Sequence, residues 1–260
     1  MEKFNFKKKY GQNFLNNDVI LNNIISSFDV KHDEKIIEIG PGSGALTKKI
    51  INLGCDVVAF EIDTNLKIYL DSLKYPNLNI IYKDFLDIKL SDYFSKNDTI
   101  NVVANIPYYI TTPIINKFIK EDFIPKNMVL MVQKEVAERL SSKCGSSDYS
   151  AITVLLNYFF DIEYLFTVNR ENFYPIPNVD SAIIKFTKKE DVNRIDYSKF
   201  EKLVYDSFKQ KRKTLKNNLK NYDLNSIEVI LNKYNLSLNN RAEDLDVEVF
   251  IDLFNIIYNN

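Results

Sequence analysis

The chain has 260 residues, 45% of them hydrophobic, with 34 Lys and Arg against 35 Asp and Glu for a formal net charge of −1. That length can bury a sizeable core without disulfides or structural metals, as one large domain or two unequal ones, and the balanced charge does not by itself advertise a nucleic-acid partner. Two cysteines outside any C-x-x-C spacing (Cys55 and Cys144) and one histidine (His32) argue against a disulfide framework or a zinc centre, and a Ser-His-Asp hydrolase would rest on His32 alone, with no G-x-S-x-G elbow.

The start, Met1-Glu2-Lys3-Phe4-Asn5, lacks the apolar core of a secretory signal, and no apolar stretch approaches the roughly 20 residues that span a bilayer. A soluble protein of a reducing compartment, the cytoplasm, is expected, with no membrane partner. From Lys35 onward the pattern is α/β. Apolar, β-branched runs at Lys35–Ile39, Asp56–Phe60, Leu78–Tyr82, Asn101–Ala104 and Met128–Val132 predict strands of a parallel sheet covered on both faces. Between the first two, Ala45–Asn52 predicts a helix. Runs at Ile162–Thr167 and Ala182–Phe186 flank the turn-rich Tyr174-Pro175-Ile176-Pro177-Asn178 and predict a closing antiparallel unit. Domain boundaries follow: residues 1–188 with the sheet, a polar linker over 189–196, and an all-helical domain over 197–260, where Phe200, Leu203, Val204 and Phe208 begin a series of helical stripes.

Glu38-Ile39-Gly40-Pro41-Gly42-Ser43-Gly44-Ala45 follows the first strand and opens a helix, and Glu61 ends the second strand about 20 residues later. Glycines let the backbone approach a ligand, and a carboxylate at that place can accept both hydroxyls of a ribose. The spacing suits a dinucleotide or S-adenosylmethionine and does not choose between them. Asp84, ending the third strand, helps: its carboxylate can accept an adenine amino group while Phe85 packs on the ring, and a nicotinamide enzyme has no need of it.

Asn105-Ile106-Pro107-Tyr108 follows the fourth strand, at the sheet end where open α/β folds place ligands. The amino group of adenine is a poor nucleophile because its lone pair is delocalised into the ring. Two acceptors aimed at its N–H bonds, the Asn105 side-chain oxygen and the Ile106 carbonyl, favour a tetrahedral nitrogen. Pro107 stiffens the turn, and Tyr108 offers a ring to an extruded base. The nitrogen turns acidic once methylated, so no histidine base is required.

With these segments in view, the sequence resembles the ribosomal RNA adenine N6-dimethyltransferases, and within them the small-subunit enzymes linked to kasugamycin resistance. The resemblance runs from about Lys7 to Leu245. It is carried by Lys8–Leu15, the glycine loop, Asn105–Tyr108, Gln133–Ala137, Phe173–Ala182, Lys211–Leu219 and Arg241-Ala242-Glu243, in the family's order. It implies a Rossmann-like, S-adenosylmethionine-dependent sheet domain with a small helical domain, acting as a monomer. The implied reaction dimethylates two adjacent adenosines in the 3′-terminal hairpin of small-subunit rRNA, within a small subunit or its precursor. By position, Asn13 and Leu15 would line the S-adenosylmethionine pocket with Gly40, Gly42, Glu61, Ile62, Asp84, Phe85 and Asn105, no metal taking part. Phe173 would face Tyr108 across the target base. Tyr109 stands where the family often has asparagine, a difference that bears on pocket volume.

Lys209, Lys211, Arg212, Lys213, Lys216 and Lys220 form a stretch without an acidic residue in the helical domain, suited to RNA phosphates. Three other readings share some of these features: a large-subunit rRNA methyltransferase conferring macrolide resistance, a non-catalytic ribosome-assembly factor, and a nicotinamide oxidoreductase. The Lys211–Leu219 block and Arg241-Ala242-Glu243 favour the small-subunit enzyme over the first. Intact Asn105, Tyr108 and Glu61 argue against the second. The third leaves the tetrapeptide, Asp84 and the basic stretch unexplained.

Overall fold

The structure, a computed structural model, describes residues 13–15, 17–105, 110–190 and 195–258. The first described elements are a short strand β1 (Phe14–Leu15) and helix α1 (Asp18–Ser26), whose N-cap Asn17 accepts hydrogen bonds from the Val19 and Ile20 amides. An alternating segment follows: β2 (Lys35–Ile39), α2 (Thr47–Ile50), β3 (Asp56–Phe60), α3 (Lys67–Leu70), β4 (Leu78–Ile81), β5 (Ile100–Asn105), α4 (Thr111–Lys120) and β6 (Asn127–Gln133). After α5 (Lys134–Leu140) and α6 (Ala151–Phe159) come β7 (Phe160–Val168), β8 (Phe173–Tyr174) and β9 (Ser181–Lys188). The remainder is helical: α7 (Tyr197–Phe208), α8 (Leu215–Asn218), α9 (Leu224–Lys233) and α10 (Val247–Tyr258).

Among the described residues, seven strands form one sheet in the order β4-β3-β2-β5-β6-β9-β7. The first five are parallel, and β9 runs antiparallel to β6. β5 and β6 are buried almost throughout, as strands covered on both faces must be. Register brings the carboxyl ends together: Ile39 lies opposite Phe60 on one side and Ala104 on the other, and Phe60 opposite Ile81. Gly40, Glu61 and Asn105 therefore emerge side by side. A separate two-stranded pairing, Phe14 with Tyr174 and Leu15 with Phe173, ties the N-terminal segment to the β8 turn.

The opposite end of the sheet is closed by a buried polar network. Glu34 accepts from Lys126 Nζ at 2.6 Å and from Asn101 Nδ2 at 2.8 Å, and Asn127 donates to Asn101 Oδ1 at 3.0 Å. Burial alone would raise the Glu34 carboxyl, but Lys126 and Asn101 hold it below its ordinary value. His32 precedes β2 at this same end, away from the emerging loops.

The chain divides into two compact units: residues up to Ala137 with Glu163–Lys188, and Glu138–Ile162 with Lys189–Asn260. The division differs from the boundary read at residue 188, because Glu138–Ile162 packs with the helical unit. Val154, Leu155 and Tyr158 of α6 share a core with Phe200, Leu203, Leu231, Phe250 and Leu253, and the Tyr158 and Phe200 rings lie 5.0 Å apart. An apolar helix stripe shows that a core exists but not which one it joins. Of the linker read at 189–196, residues 191–194 lie outside the described part.

Candidate active site

The carboxyl ends of β2, β3 and β5 and the turn after β4 open onto a cavity of about 340 Å³, within the range of small-molecule sites. The glycine loop forms one wall. Gly42 has φ +61°, and an added Cβ would lie 2.9 Å from Phe14 Cε1. Gly44 has φ +80°, with Leu73 Cδ1 at 2.8 Å from the same imagined atom. Any side chain at either place would meet both backbone strain and a neighbouring ring or methyl.

Glu61, buried, lines the cavity beside the glycine loop. Its Oε2 accepts the Gly42 amide at 3.0 Å and its Oε1 the Asp63 amide at 2.8 Å, so the carboxylate is positioned on both oxygens. Burial raises its pKa, opposed by those backbone donors. Asp84 Oδ1 accepts from the Leu86 amide at 2.9 Å, which fixes the turn after β4. Phe85 is buried at the cavity wall, edge-on to Phe60 at 5.3 Å and near Phe118 at 5.4 Å. Asn105 ends β5 opposite Met131, half-buried and lining the cavity.

The residues read as cofactor-binding are thus gathered in one place: Asn13, Leu15, Gly40, Gly42, Glu61, Ile62, Asp84, Phe85 and Asn105 all line this cavity. Phe173 joins them, buried and held by its pairing with Leu15. Ile106, Pro107 and Tyr108 lie outside the described residues, as does Tyr109. Sequence reading passed over Glu38, which also lines the cavity and is almost fully buried. The available signal was an acid within the otherwise apolar Ile36-Ile37-Glu38-Ile39, on the strand face of Ile36.

In the helical unit, buried Leu215 and Leu219 pin the segment around α8 and leave Lys209, Lys211, Arg212, Lys213, Lys216 and Lys220 exposed. Asn218 braces the preceding turn by donating to Ser207 O at 2.7 Å, and Lys211 Nζ donates to Ser147 O at 2.9 Å. Lys211 therefore also holds the loop around residue 147.

The chemistry of the cavity matches the polar groups of S-adenosylmethionine. Carboxylates at the ends of β3 and β4 suit ribose hydroxyls and an adenine amino group, glycines permit close approach, and Glu38 Oε2 is a buried oxygen with no hydrogen-bond partner among the described residues.

Comparison with known proteins agrees. The model of the family described as ribosomal RNA adenine dimethylase matches residues 3–259. Proteins named ribosomal RNA small subunit methyltransferase A are similar over nearly the whole chain. That of Aster yellows witches'-broom phytoplasma (strain AYWB) is 42% identical, covering 94% of this chain and 93% of the relative. That of Fusobacterium nucleatum subsp. nucleatum is 43% identical, covering 98% of each. Among solved structures, a dimethyladenosine transferase from Plasmodium falciparum superposes with a TM-score of 0.78 at 30% identity, over 92% of this chain and 95% of that one. The 23S rRNA methyltransferase ErmE gives 0.77 at 24% identity over 94% and 99%, a likeness of fold. The Rossmann-like methyltransferase architecture read from the sequence is the one observed. Taken with the cavity, these matches establish that the chain belongs to the ribosomal RNA adenine dimethylase family, enzymes that methylate adenine in rRNA with S-adenosylmethionine as donor.

Proposed function

We propose that this enzyme dimethylates the N6 amino groups of two adjacent adenosines in the 3′-terminal hairpin of small-subunit (16S) rRNA, acting in the cytoplasm as a monomer on a small subunit or its precursor. The observation that carries the reading is the convergence of Glu61, Asp84 and Asn105 on one cavity at the carboxyl ends of parallel strands. The small-subunit target is supported by the names of the relatives at 42% and 43% identity.

When bound, S-adenosylmethionine supplies an electrophilic methyl group on a sulfonium. Glu61 would hold the ribose hydroxyls, Asp84 and Phe85 the adenine, and Asn13, Leu15, Gly40, Gly42 and Ile62 would shape the rest of the pocket. Asn105 accepts one N–H of the target amino group through its side-chain oxygen, and the Ile106 carbonyl accepts the other. That pair draws the nitrogen toward tetrahedral geometry and aims its lone pair. Phe173 and Tyr108 hold the extruded base between rings, with Pro107 stiffening the turn. Most of the acceleration comes from fixing the reacting atoms in line. The exposed lysines and arginine of the helical unit bind phosphates and orient the RNA without reading its sequence.

The test is Asn105→Ala. Methyl transfer should fall by roughly a hundredfold to a thousandfold, the scale for losing one positioned polar group, while RNA affinity stays within a few-fold. Activity surviving that change would remove the amino-group argument.

A further inference from the structure

Beneath the glycine loop, Glu38 is a carboxyl group for which the reading above has no task. Strand alternation puts it on the face of Ile36, where the wall is apolar: Leu21 and Ile24 from α1, Leu46 before α2, Val103 from β5, and Val129 and Met131 from β6. It is 2% exposed. Neither its Oε2 nor the buried Thr47 hydroxyl of α2 has a hydrogen-bond partner among the described residues. An ionised carboxylate in such a wall, without a partner, is costly.

The charged groups around it do not relieve that cost. Among the described residues, β3 brings Glu61 to the cavity with Asp63 just beyond, and the turn after β4 brings Lys83 and Asp84 to its edge. Lys83 Nζ donates to the Tyr93 hydroxyl at 3.2 Å. On α2, Lys49 is paired with Asp18 of α1 at 2.8 Å and Lys48 is exposed. β5 and β6 bring no titratable group to the cavity. The charge that acts on Glu38 is that of Glu61, and it is negative. Burial pushes the Glu38 carboxyl up to about 8; the neighbouring Thr47 hydroxyl opposes it by less than burial contributes, and Glu61 adds a smaller push in the same direction as burial. Glu61 differs in accepting a backbone amide on each oxygen, whereas Glu38, also lining the cavity, has a buried Oε2 without a partner among the described residues.

We propose that Glu38 is a proton-linked element of the cofactor site: it is a neutral acid before binding, and its O–H proton leaves to solvent as a cationic group of the ligand is seated beside it. The carboxylate left behind neutralises that cation inside the apolar wall. This rests on the reading of the cavity as the S-adenosylmethionine site. Two groups of that ligand carry positive charge, the α-ammonium and the sulfonium, and either meets the requirement. Affinity then falls about tenfold for each pH unit below about 8, until the carboxylate of the complex itself protonates.

The experiment is titration calorimetry of the full chain, without RNA, using S-adenosylmethionine and S-adenosylhomocysteine in turn. Working at about pH 6.5 keeps the ligand amine, with an ordinary value near 8, protonated throughout. Two buffers of different ionisation enthalpy give the number of protons exchanged. The expected result is release of close to one proton per ligand bound, falling to nearly zero in Glu38→Gln, whose affinity no longer varies with pH. Release with both ligands identifies the ammonium as the partner group, and release with S-adenosylmethionine alone identifies the sulfonium. Binding without proton release by the native protein, or equal release by Glu38→Gln, overturns the proposal. If neither ligand binds, the cofactor site itself has been misassigned and the proposal falls with it.

Discussion

Replacing Glu38 by glutamine should make the ligand-free protein more stable at neutral and alkaline pH, with the gap shrinking to less than about 1 kcal/mol at about pH 5. The Glu38 carboxyl is raised from 4.5 to about 8 in the folded protein, chiefly by burial. A carboxyl raised by folding contributes its full stability below the unfolded value, where both states are protonated. As pH climbs from 4.5 toward 8, the unfolded chain gives up a proton that the folded chain keeps, and stability is lost at about 1.4 kcal/mol per unit. At pH 7 the accumulated loss is about 3 kcal/mol, and it levels off above about pH 8. Glutamine mimics the shape of the neutral acid and cannot ionise. The unmade hydrogen bond at Oε2 has its counterpart in the amide and largely cancels. Urea unfolding of both proteins, followed by circular dichroism at several values between about pH 5 and pH 9, measures the gap, and every other titrating group is common to the two. A gap that opens with pH and then plateaus is expected. A gap that is constant, or a native protein more stable than the variant at pH 8, would refute the reasoning.

Four further outcomes follow from the geometry. Gly42→Ala should cost about 1–2 kcal/mol from its φ of +61° and weaken cofactor binding by displacing the Phe14 ring, which calorimetry and thermal unfolding can separate. Lys126→Met should destabilise by about 2 kcal/mol at pH 7, because it leaves Glu34 buried and charged with only neutral partners, Asn101 and the Lys31 backbone. Since the Glu34 carboxyl is lowered in the native fold, its stabilisation is present above its usual 4.5 and lost on acidification through the folded value, so that gap should narrow as pH falls below 4.5. Changing Arg212 and Lys213 together to glutamine should weaken RNA binding and flatten its salt dependence by nearly two charges' worth, with unaltered folding; an unchanged slope would take the patch out of the interface. Lys211→Gln should in addition loosen the loop at Ser147.

The central strands were legible because each is a short β-branched run cut off by a glycine or an acid: Lys35–Ile39 and Asp56–Phe60 are strands to the residue. The helix read over Ala45–Asn52 is shorter, α2 giving way to a tighter 3₁₀ turn at Ile51–Leu53 that ends on Gly54 with φ +80°. Helix α1 was not anticipated, although Asn17-Asp18 is a capping signal before an apolar run. The pairing of β1 with β8 is two residues long and leaves no period to detect. It nevertheless brings Leu15 and Phe173 to the cavity, which the family resemblance had implied. Ile106, Pro107 and Tyr108 lie outside the described residues, and the roles proposed for them rest on their place in the tetrapeptide. Glu38 escaped notice because its meaning depends on which face of β2 it occupies and on what α1 and β6 place opposite, and neither is written in the strand itself.

The most direct test of the function is transfer of labelled methyl groups from S-adenosylmethionine to unmethylated small and large ribosomal subunits, assayed separately and followed by nucleoside analysis. Dimethyladenosine confined to small-subunit RNA, at two adjacent positions of the 3′-terminal hairpin, is the predicted result. Label in large-subunit RNA, or RNA binding with no label in either, would contradict it.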